Sequence, residues 1–141
     1  MSASTAMIWN DSYNIGIPSV DACKMEAVCS FNELVGALNA NSKSDATIAA
    51  VIMFNKLMTR SFALEEHYME HYRFQDNVVH SDRHKNYLNR LGGLSNQIVS
   101  GDEVTDQVLS YFCGWLTHHV SITDKIFATF IREHHQYQKF E

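Results

Sequence analysis

The chain has 141 residues, a common size for one domain and large enough to bury a core without disulfides. Hydrophobic residues make up 45% of it, while Gly (6) and Pro (1) are scarce, which argues against disorder and against a turn-rich sheet protein. The formal charge of −5 is spread along the chain without a basic stripe, so nucleic acid is not an expected partner. We predict one domain over residues 1–141.

The chain also lacks the signals of a membrane or secreted protein. Its apolar runs are far shorter than the roughly 20 residues that a spanning helix requires, and the first ten residues lack the basic and apolar segments of a signal peptide. We therefore predict a cytoplasmic protein with no membrane partner. Its three cysteines (Cys23, Cys29, Cys113) lack metal-site spacing and are interpreted as reduced, half-buried packing residues. The alternative is that Cys23 is oxidised or binds metal.

The first predicted element is an extended N-terminal arm over residues 1–18. This segment has no helical period, and Gly16 and Pro18 interrupt any helix within it. Pro18 and Ser19 then provide a helix start signal, and apolar residues follow at spacings of three and four as far as Asn39. The first helix is therefore predicted to end near Asn39.

Three further amphipathic helices follow. Ser44 is the expected N-cap of the second, while the third runs from near Asp76 to Gly101 and the fourth begins near Asp102. The core-facing positions of the fourth are predicted at Val108, Phe112, Trp115, His119, Ile122 and Ile126. Short connections between amphipathic helices predict an all-α, antiparallel up-down-up-down four-helix bundle over residues 19–141.

Ionisable residues occupy core-facing positions on all four predicted helices. They are Lys24, Glu65, His80, His84 and His119. Charged side chains in a core must be paired or must coordinate a metal, and His80 and His84 are four residues apart on one face of a helix. These residues therefore predict a site inside the bundle.

Asp124 completes a ligand set suited to a transition metal. Mixed imidazole and carboxylate ligation favours iron, manganese or zinc over calcium or magnesium. Asp124 follows His119 by five residues, an offset of about 140° on a regular α-helix, so its participation requires a local irregularity or a favourable rotamer. His67 and His71 point away from Glu65 around the second helix and are predicted to face solvent.

Several motifs resemble those of the bacterial hemerythrins across nearly the whole chain. Trp9 opens the run W-N-D-S-Y-N-I-G-I-P-S-V-D, and S-F-A-L-E-E-H-Y-M from Ser61 is similar to the family's H-F-x-x-E-E-x-x-M. The pair His80 and His84 matches H-x-x-x-H, and W-L-T-H-H-V-S-I-T-D from Trp115 is similar to W-L-x-x-H-I-x-x-x-D. The motifs thus match those of the family in order and in position along nearly the whole chain.

This resemblance implies two irons bridged by Glu65 and Asp124. The first iron would take three terminal histidines, and the matching positions here are His80, His84 and His119. The second iron of the family takes two more histidines, and this chain has Lys24 and Ser61 at those positions. A protonated lysine has no lone pair for a metal.

These two departures suggest a site for a single metal. Lys24 is predicted to supply the charge of the missing cation, and the alternative is that it merely extends to the surface. Ser61 is predicted to hydrogen-bond Glu65 or to hold a water molecule in place of the imidazole.

The predicted function is that of a non-enzymatic, hemerythrin-like protein with one iron per chain, or else zinc or manganese. It would be impaired in reversible O2 binding and would act as a redox or ligand sensor, with O2, peroxide or NO as small ligands. The alternatives are a di-iron oxygen carrier, an enzyme acting on peroxide or superoxide at a mononuclear site, and a bundle that its metal only stabilises.

Overall fold

The computed structural model describes residues 10–134, so residues 1–9 of the predicted arm and residues 135–141 lie outside the described part. All regular structure within residues 10–134 is helical, which confirms the predicted all-α four-helix bundle. The first three helices of the bundle are α1 (Pro18–Asn41), α2 (Asp45–His71) and α3 (Asn77–Val99). The fourth consists of α4 (Thr105–Gly114), a π-helical segment (Trp115–Thr123) and α5 (Asp124–His134), which follow one another directly.

Local sequence explains where these helices begin and end. Pro18 is the first residue of α1, where its missing N–H costs no helical hydrogen bond. Ser44 caps α2 as predicted, since its Oγ accepts a hydrogen bond of 3.2 Å from the backbone N–H of Thr47. Gly101 has a φ of +88° just after α3, a conformation that favours glycine and ends the helix. The up-down-up-down order stays a prediction, supported by the short connections.

The described part of the predicted arm packs against the bundle. It contains one 3₁₀ turn (Asp11–Tyr13), after which Ile15 and Ile17 are buried. The backbone N–H groups of Ile15 and Gly16 donate to the carboxylate of Asp21 at 2.8 and 3.1 Å. These bonds fasten the arm to the first turn of α1.

The apolar core forms two clusters along the bundle. The larger one contains the stacked rings of Phe31 and Phe112, whose centroids are 3.7 Å apart. The smaller one contains Val20, Met69 and Phe127. Lys24, Glu65 and Asp124 each lie along their helix between a position of the larger cluster and one of the smaller cluster. The layer that they form with the buried histidines is called the polar layer. None of the helices within residues 10–134 is both long and apolar enough to cross a membrane.

Two predictions about exposure are wrong. Ile122 and Ile126 are 57% and 53% exposed, because the π-helical segment turns the residues after His119 onto a different face. Cys29 and Cys113 are exposed rather than half-buried, while Cys23 is buried, and all three thiols are free. His67 and His71 are exposed, as predicted.

Candidate metal centre

The π-helical segment brings Asp124 onto the same face as His119. The backbone N–H of Asp124 donates to the carbonyl oxygen of His119, five residues earlier, instead of four as in an α-helix. Each turn of this segment therefore takes up more residues than an α-helical turn, which reduces the offset expected between the two side chains. Of the two alternatives from the sequence, the structure shows the local irregularity.

Five buried side chains from three helices meet in the polar layer. Each contributes one nitrogen or oxygen to a group whose atoms all lie within 4.8 Å of one another. The members are Glu65 of α2, His80 and His84 of α3, His119 of the π-helical segment and Asp124 of α5. All five are 0–2% exposed. The structure therefore brings together every residue predicted to hold the first metal.

Several distances within this cluster are close to those between the ligands of one six-coordinate ion. Bonds of about 2.1 Å place neighbouring ligand atoms about 3 Å apart and opposite ones about 4.2 Å apart. Glu65 Oε1 lies 2.8 Å from His80 Nε2 and 3.0 Å from His84 Nε2. It lies 3.9 Å from His119 Nε2, close to the value for opposite ligands.

Asp124 and the remaining imidazole pair follow the same pattern. Asp124 Oδ1 lies 3.0 Å from Nε2 of both His80 and His119. The Nε2 atoms of His84 and His119 are 2.9 Å apart. Asp124 Oδ1 therefore points at the imidazoles, as Glu65 Oε1 does. Three imidazole nitrogens and two carboxylate oxygens that converge in this way form a donor set suited to a transition metal ion, so the residues present fit such an ion.

Lys24 occupies the other side of the two carboxylates. Its Nζ donates a hydrogen bond of 2.6 Å to Asp124 Oδ2. The same atom forms an ion pair with Glu65 Oε2 at 3.0 Å, but the angle at this contact is unsuitable for a hydrogen bond. Each carboxylate thus directs one oxygen to the imidazoles and the other to the ammonium. The Lys24 side chain is 3% exposed, so the alternative that it extends to the surface is wrong.

The charges in this layer stabilise one another. Burial opposes the charge of Lys24, but Asp124 and Glu65 outweigh it and raise the pKa of the ammonium. Burial likewise opposes ionisation of Glu65, yet Lys24 and the imidazoles hold the pKa of that carboxyl well below its usual range. Asp124 behaves in the same way: burial and Glu65 raise its pKa, while Lys24 and His119 bring it down to about 2. The layer therefore holds two carboxylates and one ammonium at neutral pH.

The imidazoles differ from one another. Burial disfavours the charged form of His80, but hydrogen bonds to Asp124 and Glu65 raise its pKa to about 9. For His119 burial prevails, and its pKa is lowered. Because metal ligands must be deprotonated, metal binding at neutral pH would release the proton of His80.

Glu66 orients one imidazole and was missed in the sequence analysis. His84 Nδ1 donates to Glu66 Oε2 at 2.6 Å, which directs Nε2 into the cluster. Carboxylates commonly fix metal-binding histidines in this way. The sequence did contain a signal for a second carboxylate near the site, because Glu65 and Glu66 are adjacent. Neighbouring positions on a helix point about 100° apart. One carboxylate can therefore face the core while the other reaches around the helix.

Ser61 does not act as first predicted. Its Oγ is buried and has no hydrogen-bond partner among the described residues, so the predicted bond to Glu65 is absent. A buried hydroxyl without a partner is costly. A water molecule beside Ser61, the second alternative, stays a prediction.

Comparison with known proteins gives one informative similarity. No protein-family model matches the chain. Over 129 residues the chain is 26% identical to a bacteriohemerythrin of Stenotrophomonas maltophilia (strain R551-3), a match that covers 91% of this chain and 83% of that protein. Together with the buried cluster of histidines and carboxylates, this similarity supports a hemerythrin-like metal-binding protein.

Proposed function

We propose that this chain is a hemerythrin-like protein that holds one iron ion and senses a redox change or a small ligand. The proposed ligands are Nε2 of His80, His84 and His119 with one oxygen each from Glu65 and Asp124. The position of Lys24 carries the proposal, because its ammonium lies 2.6 and 3.0 Å from the outer oxygens of the two carboxylates. By the resemblance to the hemerythrins, those oxygens would be ligands of a second iron.

Electrostatics supports a single ion. Two carboxylates shaped to bridge two cations would leave excess negative charge beside one, and a buried charge without a partner is strongly unfavourable. Lys24 balances that charge and donates a hydrogen bond, yet it offers no lone pair to a metal. Ser61, at the other departing position, contributes a hydroxyl in place of an imidazole. The second metal position therefore lacks both terminal histidines and already holds a cation.

This arrangement impairs the oxygen chemistry of a two-iron centre. A bound iron would supply redox change and an electron-pair acceptor for a small ligand such as O2, peroxide or NO. The protein would hold the ion with three imidazoles and two carboxylates, exclude bulk water by burial, and keep His84 oriented through Glu66. A cavity of about 200 Å³ has Val79, His80 and Ile126 in its wall, so it borders one of the proposed ligands.

Anaerobic titration of the metal-free protein with Fe²⁺ tests the proposal. We expect one equivalent to bind, and we expect His84→Ala and His119→Ala each to weaken binding at least tenfold. His67→Ala and His71→Ala are matched controls, because both histidines are exposed on α2 and outside the cluster. Equal weakening by the control variants, or no binding at all, would contradict the proposal. Two equivalents would instead favour the di-iron carrier.

A further inference from the structure

A second cavity, of about 520 Å³, lies between α3 and the π-helical segment. Its walls include Arg83, Tyr87 and Arg90 from α3, and His119 and Ile122 from the π-helical segment. We call it the arginine cleft. It shares one residue, His119, with the candidate metal centre.

The arginine cleft is cationic in a protein of net charge −5. No acidic residue lines it, and neither arginine has a carboxylate within 4.0 Å in the described part of the chain. Arg83 Nη1 donates to Thr123 Oγ1 at 3.0 Å, and the guanidinium of Arg90 lies 5.7 Å above the centre of the Tyr111 ring. These contacts position both groups while leaving most of their N–H donors available, since a guanidinium carries five.

His119 provides an independent sign that the arginine cleft takes a ligand. Its Nε2 belongs to the metal cluster, but its Nδ1 is buried and has no hydrogen-bond partner within residues 10–134. Metal-binding histidines usually donate the second ring N–H to a carboxylate, a carbonyl or a water. His84 has such a partner in Glu66. Because Nε2 faces the cluster, the Nδ1 edge of His119 is turned away from it, and the same residue lines the arginine cleft.

We propose that the arginine cleft binds a small organic carboxylate. Guanidinium groups match the planar carboxylate bidentately. Tyr87 and Ile122 offer apolar surface for the body of the acid, and a cavity of about 520 Å³ falls in the range of small-molecule sites. Arg83 and Arg90 hold the carboxylate, and the side chains that cover His119 Nδ1 in the unliganded structure move aside so that this atom donates a hydrogen bond to it.

Such a ligand would be coupled to the metal. A carboxylate that accepts the N–H of His119 makes this imidazole a stronger metal donor, as other outer partners of histidine ligands do. By linkage, the metal must then raise the affinity for the acid by the same factor. This coupling rests on the proposed function, whereas binding of the acid alone does not.

Calorimetric titration of the full-length, metal-free protein with benzoate tests the site. We expect saturable binding that uncharged benzamide does not show, and at least tenfold weaker binding in Arg83→Gln and in Arg90→Gln. Lys85→Gln is the matched control, because Lys85 lies between the two arginines on α3, is 74% exposed and does not line the cleft. Circular dichroism establishes that each variant is folded. The proposal is overturned if benzamide or inorganic phosphate binds as tightly as benzoate, if the control loses as much affinity, or if benzoate does not bind.

Titration with Co²⁺, followed by its visible absorption, tests the coupling. We expect saturating benzoate to raise Co²⁺ affinity several-fold and to shift the absorption, with both effects reduced in Arg83→Gln. An unchanged Co²⁺ affinity in the presence of bound benzoate would overturn the link through His119. Failure of Co²⁺ to bind would instead refute the proposed metal site while leaving the benzoate result to stand.

Discussion

Replacing Lys24 by methionine tests whether its charge balances the two carboxylates. Methionine keeps much of the length and apolar character of the side chain but removes the ammonium. Glu65 and Asp124 would then remain buried, at 1% and 0% exposed, without the ammonium that contacts both of them. We expect a large loss of stability in the metal-free protein.

The magnitude follows from the burial of the ion pairs. Removing one partner of a buried pair costs about 3–5 kcal/mol, because the other charge is left uncompensated. At about 3 °C per kcal/mol for a chain of this size, the melting temperature should fall by roughly 10–15 °C. Urea denaturation at pH 7 in the presence of a chelator measures the free energy of unfolding, and calorimetry measures the melting temperature.

Lys85→Met is the matched control for this prediction. Lys85 is exposed and lies 3.9 Å from Asp82, a surface ion pair worth about 0–1 kcal/mol. We expect the control to change the free energy of unfolding by less than about 1 kcal/mol. If Lys24→Met were no more destabilising than the control, the charge of Lys24 would not matter to the fold, and the charge-replacement argument would fail.

Three further predictions concern metal binding. Glu66→Gln should weaken Fe²⁺ affinity about 10–100-fold by releasing His84, whereas Glu70→Gln, an exposed carboxylate on the same helix, should leave titration curves unchanged. The double variant Lys24→His with Ser61→His restores both histidines that the family resemblance implies, so elemental analysis should rise from one to two irons per chain; an unchanged ratio would contradict the assignment of the second position. Saturating the metal-free protein with Zn²⁺ at 100 times its dissociation constant should add about 2.7 kcal/mol of stability, and an unshifted melting curve would count against binding to the folded state.

Much of the fold follows from the spacing of apolar residues. The periodicity of α1 to α3 is regular, and apolar residues at this spacing, such as Phe31, Phe54 and Leu91, are buried. The face of the last helix was not predicted beyond His119, because the assumed period of 3.6 fails in a π-helical segment. No pattern of residues in this sequence predicts a π-helical segment. The requirement that Asp124 join His119 was the only indication of an irregularity.

The residues of the cluster could be predicted from the sequence, but their contacts with side chains outside the cluster could not. Ionisable residues at core positions revealed the cluster, since periodicity shows which side chains face inward. Contacts between separate helices depend on three-dimensional packing. The adjacent pair Glu65 and Glu66 was a signal for a second carboxylate near the site, but it did not identify His84 as the partner of Glu66, and the arginine cleft had no signal in the sequence. The single-domain organisation and the cytoplasmic location stay predictions.

Metal content tests the central claim most directly. Protein purified without added metal and analysed for its elements, with an absorption spectrum recorded in air, should contain one iron per chain and lack the bands of an oxo-bridged iron pair. Two irons per chain with those bands would contradict the account, because Lys24 could not then occupy the position of a second metal.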